Sequence, residues 1–236
     1  MPYGVIYGIK TDGTLVRANG SNPNVTTSII DSWTGIKQLV GHETCMFGLK
    51  TDGTIVYNGT YTGVNGPSVS FVPANWTNLK YISVTPIDVD SGYYALIGIK
   101  NDGTLIGCGW QQTNEFNFTG LTNVVQVCAG YNCSAFLQAD GTVAVRGAMG
   151  LDTSPWTGIT KIAMCTDGLV GLKSDGTLVK TGGMILYSVS GITNVKDIYT
   201  FSDWVDQQAL AYEKTDGTVT IIGNSSYYNQ TSFTIP

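Results

Sequence analysis

The triplet Asp-Gly-Thr recurs six times in this 236-residue chain, beginning at Asp12, Asp52, Asp102, Asp140, Asp175 and Asp216. Successive copies stand 40, 50, 38, 35 and 41 residues apart. Such a period divides a chain into like units that bury their cores against one another, so it constrains the fold before any single residue does. Asp-Gly supplies the positive φ of a tight hairpin, because glycine has no Cβ to clash. The triplet therefore predicts a two-residue turn in each unit.

The residues around each triplet alternate as strands do. Three, five and seven positions before the aspartate, the residues are apolar or small in nearly every copy: Leu49, Phe47 and Cys45, or Ile99, Ile97 and Ala95. Lys50 and Gly48, or Lys100 and Gly98, fall between them, the period of two expected of a strand with one buried face. Pairs such as Ile55-Val56 and Leu178-Val179 open a second strand, and glycines such as Gly59, Gly109 and Gly182 close it. The seventh position back reads Val5, Cys45, Ala95, Cys133, Gly168 and Ala209, small throughout, as crowding near a common axis requires. In the sixth copy Glu213 replaces the aliphatic residue three places back, which predicts either a bulge or a polar spot.

A second phrase precedes the hairpins: Trp33-Thr34-Gly35-Ile36, Trp76-Thr77-Asn78-Leu79, Phe118-Thr119-Gly120-Leu121, Trp156-Thr157-Gly158-Ile159 and Val189-Ser190-Gly191-Ile192. A short apolar strand follows, and the aromatic is expected to fill space between neighbouring units. A repeat near 41 residues is that of a four-stranded propeller blade, about 40–50 residues. We read the fold as all-β, a single six-bladed β-propeller over residues 1–236. In the repeat phase Met1 is level with Gly41, and Ser232-Phe233-Thr234-Ile235 resembles the aromatic-Thr phrase. The counterpart of residues 35–40 is then supplied by neither terminus. Blade six is expected to be closed by N- and C-terminal strands and to remain one strand short. That leaves an edge at Tyr3, Val5, Tyr7, Phe233 and Ile235 for a partner's strand, or for cover by residues 227–231.

The stretch from Gly120 through Val143 resembles one repeat of the regulator-of-chromosome-condensation family, and the likeness recurs along the whole chain. Membership would imply a β-propeller, in a family that spans nucleotide-exchange factors, β-lactamase inhibitors and surface or phage proteins. The family's His-Ser pair before Asp-Gly is replaced by Cys45-Met46, Cys133-Ser134 or Gly168-Leu169. Its Gly-Gln-Leu-Gly loop gives way to phrases such as Gly59-Thr60-Tyr61-Thr62 and Gly109-Trp110-Gln111-Gln112. With no basic arm either, the chain looks more like the propellers of Gram-positive bacteria and their phages than like an exchange factor.

Chemistry is sparse. Charged residues make up 12% of the chain and the net charge is −5, which disfavours nucleic acid as a partner. No apolar run approaches the about 18 residues of a membrane span. The five cysteines (Cys45, Cys108, Cys128, Cys133 and Cys165) lie in apolar runs and read as buried thiols, not as a disulfide frame or metal site. Asp88-Val89-Asp90-Ser91-Gly92 departs from a calcium loop in the place of its glycine, and His42 is the only imidazole. No metal, cofactor or catalytic residue is assigned.

Binding falls to the least repetitive segments: 57–75, 83–94, 110–117 and 201–208. Tyr57, Tyr61, Trp110, Trp204, Asp203 and Asp206 are the candidates there, able to stack on a sugar or anchor a protein. The expected role is a non-catalytic component of a bacteriophage virion (tail, baseplate or head decoration), whose partners are other virion proteins or a host surface molecule. A secreted or cell-surface protein-binding module, of the propeller-inhibitor kind, is the alternative.

Overall fold

The computed structural model describes residues 7–18, 25–42, 45–59, 75–84, 95–109, 116–130, 133–165, 168–182, 188–202, 208–223 and 231–234. These residues form two compact units, Met1–Val84 with Val89–Trp110, and Thr85–Asp88 with Gln111–Pro236. Each holds three antiparallel sheets.

In the first unit, β1 (Tyr7–Ile9) pairs with β2 (Leu15–Arg17) and a short helix α1 (Thr27–Asp31) follows. Next comes the sheet of β3 (Ile36–His42), β4 (Cys45–Lys50) and β5 (Ile55–Gly59), then that of β6 (Leu79–Val84), β7 (Ala95–Lys100) and β8 (Leu105–Gly109). The second unit opens with β9 (Val124–Gly130), β10 (Cys133–Gln138) and β11 (Val143–Gly147). It continues with β12 (Ile159–Met164), β13 (Gly168–Lys173) and β14 (Leu178–Gly182), and ends with β15 (Val195–Ser202), β16 (Gln208–Lys214), β17 (Thr218–Gly223) and β18 (Thr231–Thr234). In the five sheets after β1–β2 an inner strand runs into a middle strand, and Asp-Gly-Thr joins the middle strand to an outer one, as it joins β1 to β2.

The turns differ from expectation. The Gly13 N–H donates to the Lys10 carbonyl at 2.9 Å and the Lys10 N–H to the Thr14 carbonyl at 2.8 Å, so the loop has three residues, not two. Gly13, Gly53, Gly103, Gly141, Gly176 and Gly217 all have φ near +80°, from +77° to +83°. The glycine is thus the left-handed residue of a bulge that ends the turn. The aspartate is spared a place in the strand pairing and caps the loop instead. Asp140 Oδ1 accepts the Thr142 N–H at 2.9 Å and its hydroxyl at 2.6 Å, and the other five turns repeat the backbone bond.

These bonds, led by the threonine hydroxyl, hold the carboxyls of Asp12, Asp52, Asp102, Asp140 and Asp175 below the ordinary 3.8, as the Thr218 amide and hydroxyl do for Asp216. A carboxyl whose folded pKa is depressed stabilises the fold fully above its unfolded value and loses that contribution as pH falls through the folded one. Urea midpoints are accordingly expected to drop on acidification below pH 3.8. Replacing the six aspartates by asparagine should flatten that acid limb; an unchanged slope would contradict the turn assignment.

The turns also stitch neighbouring sheets. The residue before each inner strand is left-handed: Gly35, Asn78, Asn123, Gly158 and Asn194, with φ from +50° to +66°. Its carbonyl accepts an N–H from its own sheet's turn (Thr51, Asn101, Ala139, Ser174 and Thr215, at 2.8–3.0 Å). The next residue donates back to the preceding sheet's turn, Ile36 to Gly13, Leu79 to Gly53, Ile159 to Gly141 and Val195 to Gly176. This geometry corrects the alignment of two phrases. The counterparts of Gly35 are Asn123 and Asn194, three residues beyond Gly120 and Gly191, so those two approaches are longer.

At the C-terminus Phe233 of β18 lies opposite Val219 of β17, and at the N-terminus β1 pairs with β2. The outer edge of β17 is close in sequence, and a short connection costs less closure entropy than a distant partner. Phe233 therefore belongs to a strand, not to an aromatic-Thr loop. Tyr3, Val5 and Ile235 lie outside the described residues.

Cores form where consecutive sheets of a unit face each other. Cys45, Phe47, Leu49 and Ile55 meet Trp76, Leu79, Ile82 and Leu96 in one, and Leu137 and Val143 meet Trp156, Ile159 and Ile162 in another. Trp33, Trp76 and Trp156 are buried, as filling between neighbours requires. Glu213 proves to be a polar spot, accepting a 2.6 Å bond from Lys196.

Candidate functional site

The polar side chains that matter most in the described residues sit on the inner strands, at the second place after the strand's first residue. Gln38 of β3 donates to the Ile82 carbonyl at 2.8 Å and accepts the Ile82 N–H at 3.0 Å. Gln126 of β9 makes the same pair of bonds to Ile162, at 2.8 and 2.9 Å. A glutamine amide carries one donor and one acceptor side by side, so it pairs with the neighbouring strand as a peptide group would. At the next interface the roles pass to charge: Lys161 of β12 forms an ion pair with Asp197 of β15.

That pair anchors a small cluster. Tyr199 donates its hydroxyl to Asp197 at 2.7 Å, and the Lys161 ammonium stands 4.4 Å from the centre of the Tyr199 ring. Burial pulls the Asp197 carboxyl upward, but the bonds from Lys161, Tyr199 and the Ile198 amide outweigh it and hold it below the ordinary range. The same bond, with burial, pushes the Tyr199 phenol up to about 12. The cluster thus joins an ammonium, a carboxylate and a phenol between β12 and β15 and positions the two strands.

The sequence candidates fare unevenly. Tyr57 lies on β5, exposed, with its ring stacked on Phe47 across the strand pair at 6.3 Å between centroids. Tyr61, Trp110, Asp203, Trp204 and Asp206 lie outside the described residues, as do Asp88 to Gly92. Tyr7 stands half-buried on β1, where burial and then the Asp31 carboxylate push its phenol up to about 12. Arg17 pairs with that carboxylate at 3.2 Å and ties the hairpin to α1.

The cysteines are free thiols, and burial pushes those of Cys108 and Cys128 up to about 12, where little nucleophilic thiolate exists at neutral pH. Among the described residues no group of three or more His, Cys, Asp or Glu could hold a metal ion, and no helix is long and apolar enough to cross a membrane. Reasoning from sequence missed Gln38, Gln126, Lys161 and Asp197. Their signal was present, since stacking the repeats on their inner strands shows a polar or aromatic residue at this place in every copy.

The sequence matches no protein-family model and no curated protein. Its likeness is to solved structures. The ectodomain of the receptor kinase CR4 from Physcomitrella patens superposes with a TM-score of 0.62 over 98% of this chain and 70% of its own, at 12% identity. Prp20p of Saccharomyces cerevisiae, the yeast RCC1, gives 0.57 over 80% of this chain and 58% of its own, at 15% identity.

The fold is that of an RCC1-like propeller. Human WBSCR16 agrees, with a TM-score of 0.56 at 12% identity, covering 80% of this chain and 61% of that one. The chain thus spans about 60% of the length of Prp20p and WBSCR16. At these identities the likeness establishes the propeller fold.

Proposed function

We propose that this chain is a non-catalytic propeller that binds another protein through the loops at one end of its blades. The observation that carries this reading is the RCC1-like fold. Prp20p has been studied with its binding to Gsp1p and histones, and as a complex with Kap60. Propellers place variable loops on a rigid frame, and such loops are where binding function collects. In its finer form the proposal takes the six sheets as six blades of one propeller and its setting as a bacteriophage particle. The low share of charge and the tyrosine- and asparagine-rich segment 57–75 support that setting, since such surfaces suit a packed assembly.

The proposed contact residues are Tyr57, Tyr61, Trp110, Asp203, Trp204 and Asp206. Purified phage particles from an infected culture are expected to contain the chain cross-linked to a second virion protein. The triple variant Tyr57→Ala, Trp110→Ala, Trp204→Ala should weaken that association at least about tenfold, as loss of central aromatic anchors does. Absence of the chain from particles would remove the virion setting. Unchanged association in the variant would remove the loop surface.

A further inference from the structure

We propose that, among the six Asp-Gly-Thr turns, Asp216-Gly217 is the one that converts spontaneously to isoaspartate, and that in the other five the threonine hydroxyl blocks this reaction. Asp-Gly favours the conversion because glycine has no Cβ to shield its nitrogen. The Gly217 nitrogen attacks the side-chain carboxyl carbon of Asp216, and a C–N bond forms. The carboxyl hydroxyl and the nitrogen's proton leave together as one water, and a five-membered succinimide results. Water then opens the ring at its main-chain carbonyl. The chain now runs through the side-chain carbon, and the former peptide carbonyl is a free carboxylate. One water leaves and one returns, so the step needs neither oxidant nor cofactor.

Ring closure requires two freedoms. The glycine nitrogen must leave its hydrogen bond, and the carboxyl must swing toward it. The first is restricted alike in all six turns: Gly13, Gly53, Gly103, Gly141, Gly176 and Gly217 each donate their N–H to the carbonyl three residues back, at 2.9–3.0 Å. The second is not. The hydroxyls of Thr14, Thr54, Thr104, Thr142 and Thr177 donate to Oδ1 of their aspartates at 2.6–2.7 Å, beside an amide bond of 2.8–2.9 Å. Two donors on one oxygen keep the carboxylate ionised and fixed in direction, and an ionised carboxylate has no hydroxyl to lose. At Asp216 the Thr218 amide, at 2.8 Å, is the leading bond and the hydroxyl comes second.

The cause lies in the last sheet. Thr218 is the first residue of β17 and is paired with Thr234 of β18, whereas the threonines of the other five turns stand ahead of their strands. The Thr218 backbone therefore answers to β18 as well as to the turn. Elsewhere further restraints tighten the turns. The Gly13, Gly53, Gly141 and Gly176 carbonyls each accept an N–H from the next sheet, at 2.9–3.1 Å. In the fourth turn Gln138 donates to the Thr142 hydroxyl at 2.8 Å, which leaves the hydroxyl's own proton for Asp140.

Three of the turns control for local sequence. Lys10-Thr11-Asp12-Gly13-Thr14, Lys50-Thr51-Asp52-Gly53-Thr54 and Lys214-Thr215-Asp216-Gly217-Thr218 are the same five residues. Their intrinsic reactivity is therefore alike, and a difference among them in the folded chain is made by the fold. The product at Asp216 carries one extra backbone carbon in the loop that joins β16 to β17, next to the Glu213–Val219 pair that ends their ladder.

The reaction is independent of the loop surface, and its test reads different residues. The purified full chain is kept in warm, mildly acidic buffer and digested at intervals. Peptides of unchanged mass but altered chromatographic position are then measured for each turn. Isoaspartate should build up at Asp216 at least about tenfold faster than at Asp12 and Asp52, the factor that one hydrogen bond to a charged group is worth. In denaturing urea, where the turns are gone, the three rates should come together. Thr54→Val removes a hydroxyl and keeps the amide, so it should raise the rate at Asp52 at least about tenfold. Thr218→Val should change the rate at Asp216 by less, and circular dichroism checks that both variants keep their fold. Equal rates at the three aspartates of the folded chain would overturn the proposal, as would no isoaspartate at Asp216, or a rate at Asp52 that ignores Thr54→Val. A ranking that survives in urea would assign the difference to sequence and overturn it equally.

Discussion

Trp156→Ala is expected to lower the unfolding free energy by about 3–5 kcal/mol, the usual cost of deleting a buried large aromatic. The ring lies on Gly171 and reaches the core built with Leu137 and Val143 of the preceding sheet and Ile159 and Ile162 of its own. Its removal strips contacts from two sheets at once, and neither can close the gap alone, because the middle strand of each, β10 and β13, is held by strand pairing on both sides. Denaturant unfolding followed by far-ultraviolet circular dichroism measures the loss. By contrast Tyr57→Ala, at an exposed ring on β5, should cost less than about 1 kcal/mol. A small loss at Trp156 would mean that the phrase aromatics are surface features after all.

Much of this architecture was legible in the sequence because its cause is local and repeated. The alternation before each aspartate places β4, β7, β10, β13 and β16, and the small residues Cys45, Cys133 and Ala209 are buried as the repeat phase implies. What escaped has particular physical reasons. The three-residue turn was hidden because Asp-Gly suits two turn types, and the choice depends on a threonine hydroxyl binding the aspartate. Asn123 and Asn194 were hidden because two phrases carry an earlier glycine, and only backbone φ separates the residue that joins sheets from the one that merely turns. Helix α1 has five residues, too few for a helical period to show. Strand β18 reads as another aromatic-Thr phrase, and tertiary pairing with β17 overrides that likeness.

The candidate site was less legible. Loop aromatics such as Trp110 and Trp204 occur once each, so nothing in the repeat fixes their surroundings. The interface residues Gln38, Gln126 and Lys161 recur in place but not in kind, since an amide pair or an ion pair can bridge the same gap. The trade of side-chain volume between middle strand and phrase, Gly48 under Trp33 but Phe136 against Phe118, was present in the sequence. It becomes visible only once the middle strand is known to face its own phrase.

That trade is the central claim, because it sets how each middle strand packs against its own aromatic phrase. Gly171→Phe alone is expected to cost at least about 1–3 kcal/mol, since even a Cβ there would stand 2.9 Å from Trp156. Trp156→Phe alone should cost about 1–3 kcal/mol through the cavity it leaves. Together they recreate the Phe118–Phe136 pair of the preceding sheet, and the losses should cancel in part. The decisive measurement is the double-mutant cycle at Trp156 and Gly171 by denaturant unfolding. The account predicts a double variant more stable than Gly171→Phe by about 1 kcal/mol or more, a coupling within the range of contacting residues. Losses that simply add would contradict it.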